Sequence, residues 1–591
     1  MINKCNPARK KALKPPWIAL ILSTAIITFW QFLCIGFVQD FGWDDGAITL
    51  AFSRTLSEHG VIALTPVSDP VEGYSSTMWM GLMALAHKAI NPGFSEFIRL
   101  SQFGSAFFSI LGSILFYILL LETLKGQVFI SSITTITLFS SAPFTTESTN
   151  GMEMNLAAFL ALLIGFLIKR LQSACQSSSQ DKHLLLLLSL ASGIACLNRL
   201  EVLFYLSLAA IALIKIMPKA SYAIALGGWS FSLINELHRI SYFGEVLPNT
   251  ILAKRWQPYK SIELRSLSSI TGRFKDSLAG FVEIFKSQVT TFTCIFAIWI
   301  LVRLKVKRVN KALFTPTQGF RSSPFWLYCF GYTAGTIVFS TATGVNWGHI
   351  GRMQMSALPL LILIAFDYLN KIITQEDSRR LKRLVFLASL VALLIRPFPG
   401  PINAIKRGFA HSYQGQPIGA EGYGSTPAEL GATGYLFEQI RNALDLSTIT
   451  VAIPDVGGTS LRSPRTRILD TGLLTSKELA RNGYQGLPAL LEREKPDIIE
   501  THGIWSKVSG IYTNNFFKDN YVPIIANNTW LYLHKSHLAK ILDLTQAEPP
   551  TKKISIKYRG YPFDEEFIAR NYAYGAAAAI HLGDHRDEPL R

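Results

Sequence analysis

FGWDDGAITLAFSRTLSEHG (41–60), VIALTPVSDP (61–70) and VEGYSS (71–76) follow directly on the first long apolar run of the chain. The stretch opens with two adjacent carboxylates, Asp44 and Asp45. Ile48, Phe52 and Leu56 then recur four apart, which gives a short helix one apolar side. Gly60 stands where a left-handed cap would end that helix. Two acids at the head of a helix, just where the chain leaves an apolar segment, read in two ways. One Asp suffices as an N-cap, which leaves the second without an assignment. As a pair they could take the proton of a hydroxyl as general base or bind a divalent cation, Mg or Mn. Adjacent acids permit such a metal without requiring it.

Working outward, the bulk of the chain speaks for a membrane. Of 591 residues 49% are hydrophobic and 16% charged, against about a quarter charged in soluble proteins, and the mean hydropathy is +0.27. Several apolar runs reach the roughly 20 residues that cross a bilayer. The fold class expected is therefore a polytopic α-helical membrane protein. The net charge of +17 sits in loops between apolar runs, as positive-inside bias places it, so no nucleic-acid partner is expected. The six cysteines form no CxxC pair, and neither a disulfide framework nor a zinc site is indicated.

Residues 17–38 make the first span, with Lys4, Arg9, Lys10, Lys11 and Lys14 holding the N-terminus in the cytoplasm. Asp44 and Asp45 then emerge on the outer face. Residues 77–90 are apolar but too short to cross, and read as an interfacial helix. Further spans are expected at 97–121, 127–142, 154–170, 220–236, 288–304, 324–341, 353–370 and 381–397. Two short ones share 184–216, interrupted at Asn198, Arg199 and Glu201. That makes about eleven. Residues 1–397 read as the transmembrane catalytic domain, with 39–96 as its first outer loop. Residues 398–591 read as an extracytoplasmic α/β domain, in which TITVAIP, YVPIIANN and WLYLHK alternate with helical KELARN and PALLERE. The expected location is the inner (cytoplasmic) membrane, multi-pass.

On this topology one set of polar residues reaches the outer face from distant parts of the chain: Asp44, Asp45, Glu72, Glu153, Arg199, Glu201, Asn249, Lys254, His349 and Arg352. Acids in such a set could move protons and cations could hold an anion. Each also has a plain reading. Lys254 and Arg352 could anchor at headgroups, Arg199 and Glu201 could pair with each other, and Glu72-Gly73-Tyr74 could be only a turn. His349 lacks a second His at ligand spacing.

WDDGAITLAFSRTLSEHG (43–60) with PVEGYSSTMWMGLMAL (70–85) resembles the first outer loop of integral-membrane glycosyltransferases of the GT-C fold. It is most similar to the terminal arabinofuranosyltransferases of actinobacterial cell walls and their relatives. NGMEMNLAAFLALL (150–163), LNRLEVL (197–203), YFGEVLPNTILAK (242–254), GRMQMSALPLL (351–361) and ILDTGLLTSKELAR (468–481) resemble further motifs of that family in the same order. Ala51, Asn150 and Leu200 depart from its pattern. The resemblance implies a hexosyl- or pentosyltransferase whose donor is a sugar on a polyprenyl phosphate, met in the membrane lipid, and whose acceptor is an envelope glycan. Asp44 or Asp45 would be the catalytic base. Lys254, Arg352 and Arg199 would meet the donor phosphate, and Glu72, Tyr74, Glu153, Glu201, Asn249 and His349 would line the substrate. Three alternatives stand beside it: transfer to a protein acceptor, a flippase of lipid-linked sugars, and a membrane-anchored glycan-binding scaffold.

Overall fold

A computed structural model describes residues 16–40, 42–173, 178–256, 274–275, 323–343, 352–375, 426–526, 529–541 and 556–558. Chain order begins with α1 (Trp17–Val38), α2 (Asp44–His59), α3 (Thr77–Ile90), α4 (Phe94–Thr123), α5 (Val128–Phe139), α6 (Ala142–Thr149) and α7 (Met154–Ser173). It continues with α8 (Ser178–Asn198), α9 (Val202–Leu213), α10 (Pro218–Phe243), α11 (Asn249–Ala253), α12 (Pro324–Thr343) and α13 (Leu358–Gln375). Among the described residues, α1, α4 and α7 are long and apolar enough to cross a membrane, or four spans if α5 and α6, bent by 47°, form one. The expectation of about eleven is not met within them. α8 and α9 are the two short apolar pieces expected on either side of Asn198–Glu201. The expected spans 288–304 and 381–397 lie outside the described residues. Trp17, Ile21 and Phe29 on α1, and Leu226, Trp229 and Leu233 on α10, are exposed, as lipid-facing helix surfaces require when the backbone is satisfied internally.

α2 forms as its pattern predicts. Asp44 and Asp45 occupy the first turn, where carboxylates favour the helix dipole. Phe52 is fully buried, Ile48 and Leu56 pack on the same core, and Gly60 caps the end at φ 72°. Neither acid is the N-cap; that position is Trp43, which makes no side-chain cap. α3 is a 14-residue helix started by Ser76, whose Oγ accepts the Trp79 N–H.

The last part of the described chain is a mixed α/β layer. It holds α14 (Pro427–Ala443), β1 (Ile449–Ile453), α15 (Gly457–Arg462), β2 (Thr466–Asp470), α16 (Lys477–Asn482), α17 (Leu487–Glu494), β3 (Ile498–Ile499), α18 (Gly503–Ser509), α19 (Asn515–Asn520), β4 (Tyr521–Ala526), β5 (Thr529–His534) and β6 (Ile556–Tyr558). The strand order is β2-β1-β3-β5-β4-β6. β1 runs parallel to β2 and β3, with Val451 opposite Ile498, and the remaining pairs are antiparallel. β1, β4, β5, α16 and α17 fall on the strings that the sequence marks for them.

This layer is fastened to the helices by the opening stretch. Asp44 accepts the N–H groups of Gly457 and Gly458 at the start of α15, at 2.8 and 2.7 Å. Arg54, further along α2, donates to the carbonyls of Ser460 and Leu461 at its end. One helix thus satisfies orphan groups at both ends of another. Thr65 donates to the Thr466 carbonyl, and the Ile468 N–H donates to Ser68, so residues 65–68 run beside β2. Gly457 is required at this junction: a Cβ there would stand 2.4 Å from Oδ2 of Asp44.

Candidate active site

Adjacent in sequence, Asp44 and Asp45 face opposite fates. Asp44 is 9% exposed, and each of its oxygens accepts one α15 amide. Burial pushes its carboxyl well above the ordinary aspartate range, with the Gly458 amide the strongest opposing influence. The side chain of Asp45 is 39% exposed and lies 3.8 Å from Arg352. Its proton affinity is also raised: desolvation dominates, Arg352 and Lys254 oppose it, and Asp455 and Glu153 add to it. A carboxylate that is partly accessible and more basic than usual suits general-base work.

From Asp45 a network of charges runs inward. Arg352 sits at the start of a 3₁₀ turn, Arg352–Gln354, just before α13. Its NH2 donates to Glu153 Oε1 at 3.0 Å, and its Nε lies 3.7 Å from Glu147. Arg199, in the break between α8 and α9, reaches the same Glu153 oxygen at 2.7 Å and Glu201 at 2.7 Å. Burial works to raise Glu153, but Arg352 and Arg199 prevail and hold it below the usual range. Lys254 follows α11 directly and is coupled electrostatically to Arg199, Glu201, Arg352 and Asp45. Burial, reinforced by Arg199 and Arg352, lowers it to about 8. Six of the residues singled out from sequence therefore meet: Asp45, Glu153, Arg199, Glu201, Lys254 and Arg352.

The others are placed elsewhere. Glu72 is buried against Arg239 of α10, which binds both its oxygens. Tyr74 packs edge-on against Phe52, 5.3 Å between centroids, in the core. Asn249 donates to the carbonyls of Leu473, Leu474 and Ser476 at 2.8–3.3 Å. It thereby ties α11, and the adjacent Lys254, to the α/β layer. His349 lies outside the described residues. As for a metal, each oxygen of Asp44 already accepts one amide. Among the described residues no group of three or more His, Cys, Asp or Glu is arranged to hold an ion.

Sequence reasoning missed the contribution of the α/β layer. β1, β2 and β3 are parallel, and the carboxyl ends of such strands commonly hold ligands. At those ends stand Asp470, which closes β2, and just past them Asp455 and the pair Glu500 and His502. Asp455 is coupled to both Asp44 and Asp45. His502 bridges Asp455 at 3.0 Å and Glu500 at 2.9 Å.

No family model matches the sequence, and no curated protein is significantly similar to it. Among solved structures the chain is similar to ArnT from Cupriavidus metallidurans bound to undecaprenyl phosphate, at 13% identity over 78% of this chain and 87% of that one, with a TM-score of 0.47. It is also similar to the archaeal oligosaccharyltransferase AglB from Archaeoglobus fulgidus in complex with an inhibitory peptide and a dolichol-phosphate, at 10% identity over 88% and 75%, with a TM-score of 0.48.

Proposed function

We propose that this chain is an inverting membrane glycosyltransferase. It moves a sugar, with arabinofuranose the first candidate, from a polyprenyl-phosphate donor to a hydroxyl of an extracytoplasmic acceptor, a cell-envelope glycan. The observation that carries the reading is the junction of Asp45 with Arg352: an accessible base beside a buried cation, with Lys254 coupled to both. The motif order quoted above supports it independently.

In this reading Asp45 takes the proton of the acceptor hydroxyl as its oxygen attacks the anomeric carbon. The new C–O bond forms on the face opposite the phosphate. The old C–O bond breaks, and its electron pair leaves with the polyprenyl phosphate. Arg352 and Lys254 stabilise the charge that develops there, each such group being worth roughly 3–4 kcal/mol. Glu153 holds Arg352 and Arg199 in place. Asp44 has a separate task, since its two hydrogen bonds hold the α/β layer against α2.

The test is transfer by the purified full chain in nanodiscs, supplied with a labelled polyprenyl-phosphate arabinofuranose and a short glycan. The reading requires a new glycosidic bond of inverted anomeric configuration. Movement of the labelled lipid across a vesicle membrane with no glycosidic product would replace it with the flippase.

A further inference from the structure

Lys254 belongs to the helical part of the chain, but the segment around it is held by the α/β layer. Ala253, its immediate neighbour, is fully buried in one apolar cluster with Leu473, Leu479 and Ala480, and Leu252 and Trp256 pack on that cluster. Polar contacts close on the same segment. Lys477 Nζ donates to the Phe243 carbonyl at the end of α10, at 3.0 Å, and Arg481 pairs with Glu245. Asn249 Nδ2 donates to the carbonyls of Leu473, Leu474 and Ser476. Trp256 Nε1 donates to the Ala480 carbonyl at 2.9 Å. Lys254 thus stands between two anchors, Asn249 before it and Trp256 after it.

The loop that receives Asn249 brings a second observation. Leu473 is fully buried at φ 74°, a backbone region that a bulky side chain enters only at a cost. The turn is braced on every side. Asp470, at the end of β2, accepts the N–H groups of Gly472 and Thr475 and the Thr475 hydroxyl at 2.6–2.9 Å. The Thr471 N–H donates to the Ile453 carbonyl at 3.0 Å, and Tyr484 donates to the Thr471 carbonyl at 2.8 Å. Backbone strain persists only where the surroundings over-determine it, and it gathers at functional sites. Here the strained turn makes three carbonyls converge on the buried amide of Asn249.

The geometry points to Asn249 and Trp256 as positioning residues for Lys254: through them the α/β layer aims the cation that meets the donor phosphate. The inference rests on the glycosyltransferase reading and gives the layer a part in donor use. Both residues direct their side-chain N–H groups into the fold, so they act through Lys254.

The test is a double-variant cycle on the full chain in nanodiscs. It reads kcat/KM for a labelled polyprenyl-phosphate arabinofuranose, with the acceptor KM measured beside it. Asn249→Ala should lower donor kcat/KM about tenfold to a hundredfold, the cost of a misaimed group, with the acceptor KM unmoved. Trp256→Phe keeps an aromatic ring but loses the N–H, and should cost about threefold. In a Lys254→Ala chain neither change should add more than about twofold, since the group they aim is gone. In Asn249→Ala the basic limb of the pH profile should move upward, because Lys254 leaves the burial that holds it at about 8. A full further loss in the Lys254→Ala background overturns the inference, since it makes the contacts merely structural, and so does an unmoved basic limb. If Asn249→Ala fails to fold, Trp256→Phe decides by the same cycle. Unchanged donor use in Lys254→Ala sinks the phosphate assignment of the parent reading and this inference with it, whereas additive losses sink the inference alone.

Discussion

Replacing Asp44 by Ala should loosen the molecule before it slows the chemistry. The change strips two buried amides, on Gly457 and Gly458, of acceptors at 2.8 and 2.7 Å. Each unsatisfied buried donor costs about 1–3 kcal/mol. Two give about 2–6 kcal/mol, less what is regained by removing a buried carboxyl, so a net loss of about 3 kcal/mol is expected. Asp44→Asn should be milder, because its one remaining oxygen still accepts an amide. Gly457→Ala opens the same contact from the other side, since its Cβ would stand 2.4 Å from Asp44 Oδ2. The two changes therefore should not add, and the double variant should lose about as much as the worse single one. The assay is thermal unfolding in nanodiscs, with limited proteolysis reporting release of the α/β layer and transfer measured at a permissive temperature. An Asp44→Ala chain that melts like wild type but has lost transfer would refute the reasoning and move Asp44 into the chemistry.

The pH profile of transfer should be bell-shaped. Asp45 acts unprotonated and its affinity for the proton is raised, so activity should fall with acid above the ordinary aspartate range. Lys254 acts charged and titrates at about 8, so donor affinity should fall as pH rises through that value, and Lys254→Arg should shift this limb upward. Glu72→Gln should destabilise the fold by about 1–3 kcal/mol, because buried Arg239 loses one charged partner while keeping Glu236. Its surviving fraction should turn over at the wild-type kcat, as a stability curve set beside single-turnover rates would show.

Local physics made part of this legible. α2 follows from apolar residues four apart and a glycine that tolerates positive φ. The break between α8 and α9 follows from Asn198, Arg199 and Glu201 inside an apolar run. The expected topology put Arg199, Glu153 and Arg352 on one face, and they lie together as ion pairs. What stayed hidden depends on distant partners. Asp44 and Asp45 are chemically identical neighbours, and only a helix more than 400 residues away separates their roles. Glu72 looks as available as Glu153 in the sequence, yet Arg239 on α10 takes it. The strand-end cluster depends on β1 and β3 pairing in parallel, which no local string encodes.

The central claim is that Asp45, not Asp44, receives the proton. The direct measurement is the single-turnover rate of Asp45→Asn with a saturating polyprenyl-phosphate sugar and acceptor, in a chain shown to be folded by its unchanged melting. A fall of about two to four orders of magnitude is expected, the worth of a general base, with donor binding retained. Wild-type turnover in Asp45→Asn would contradict the account.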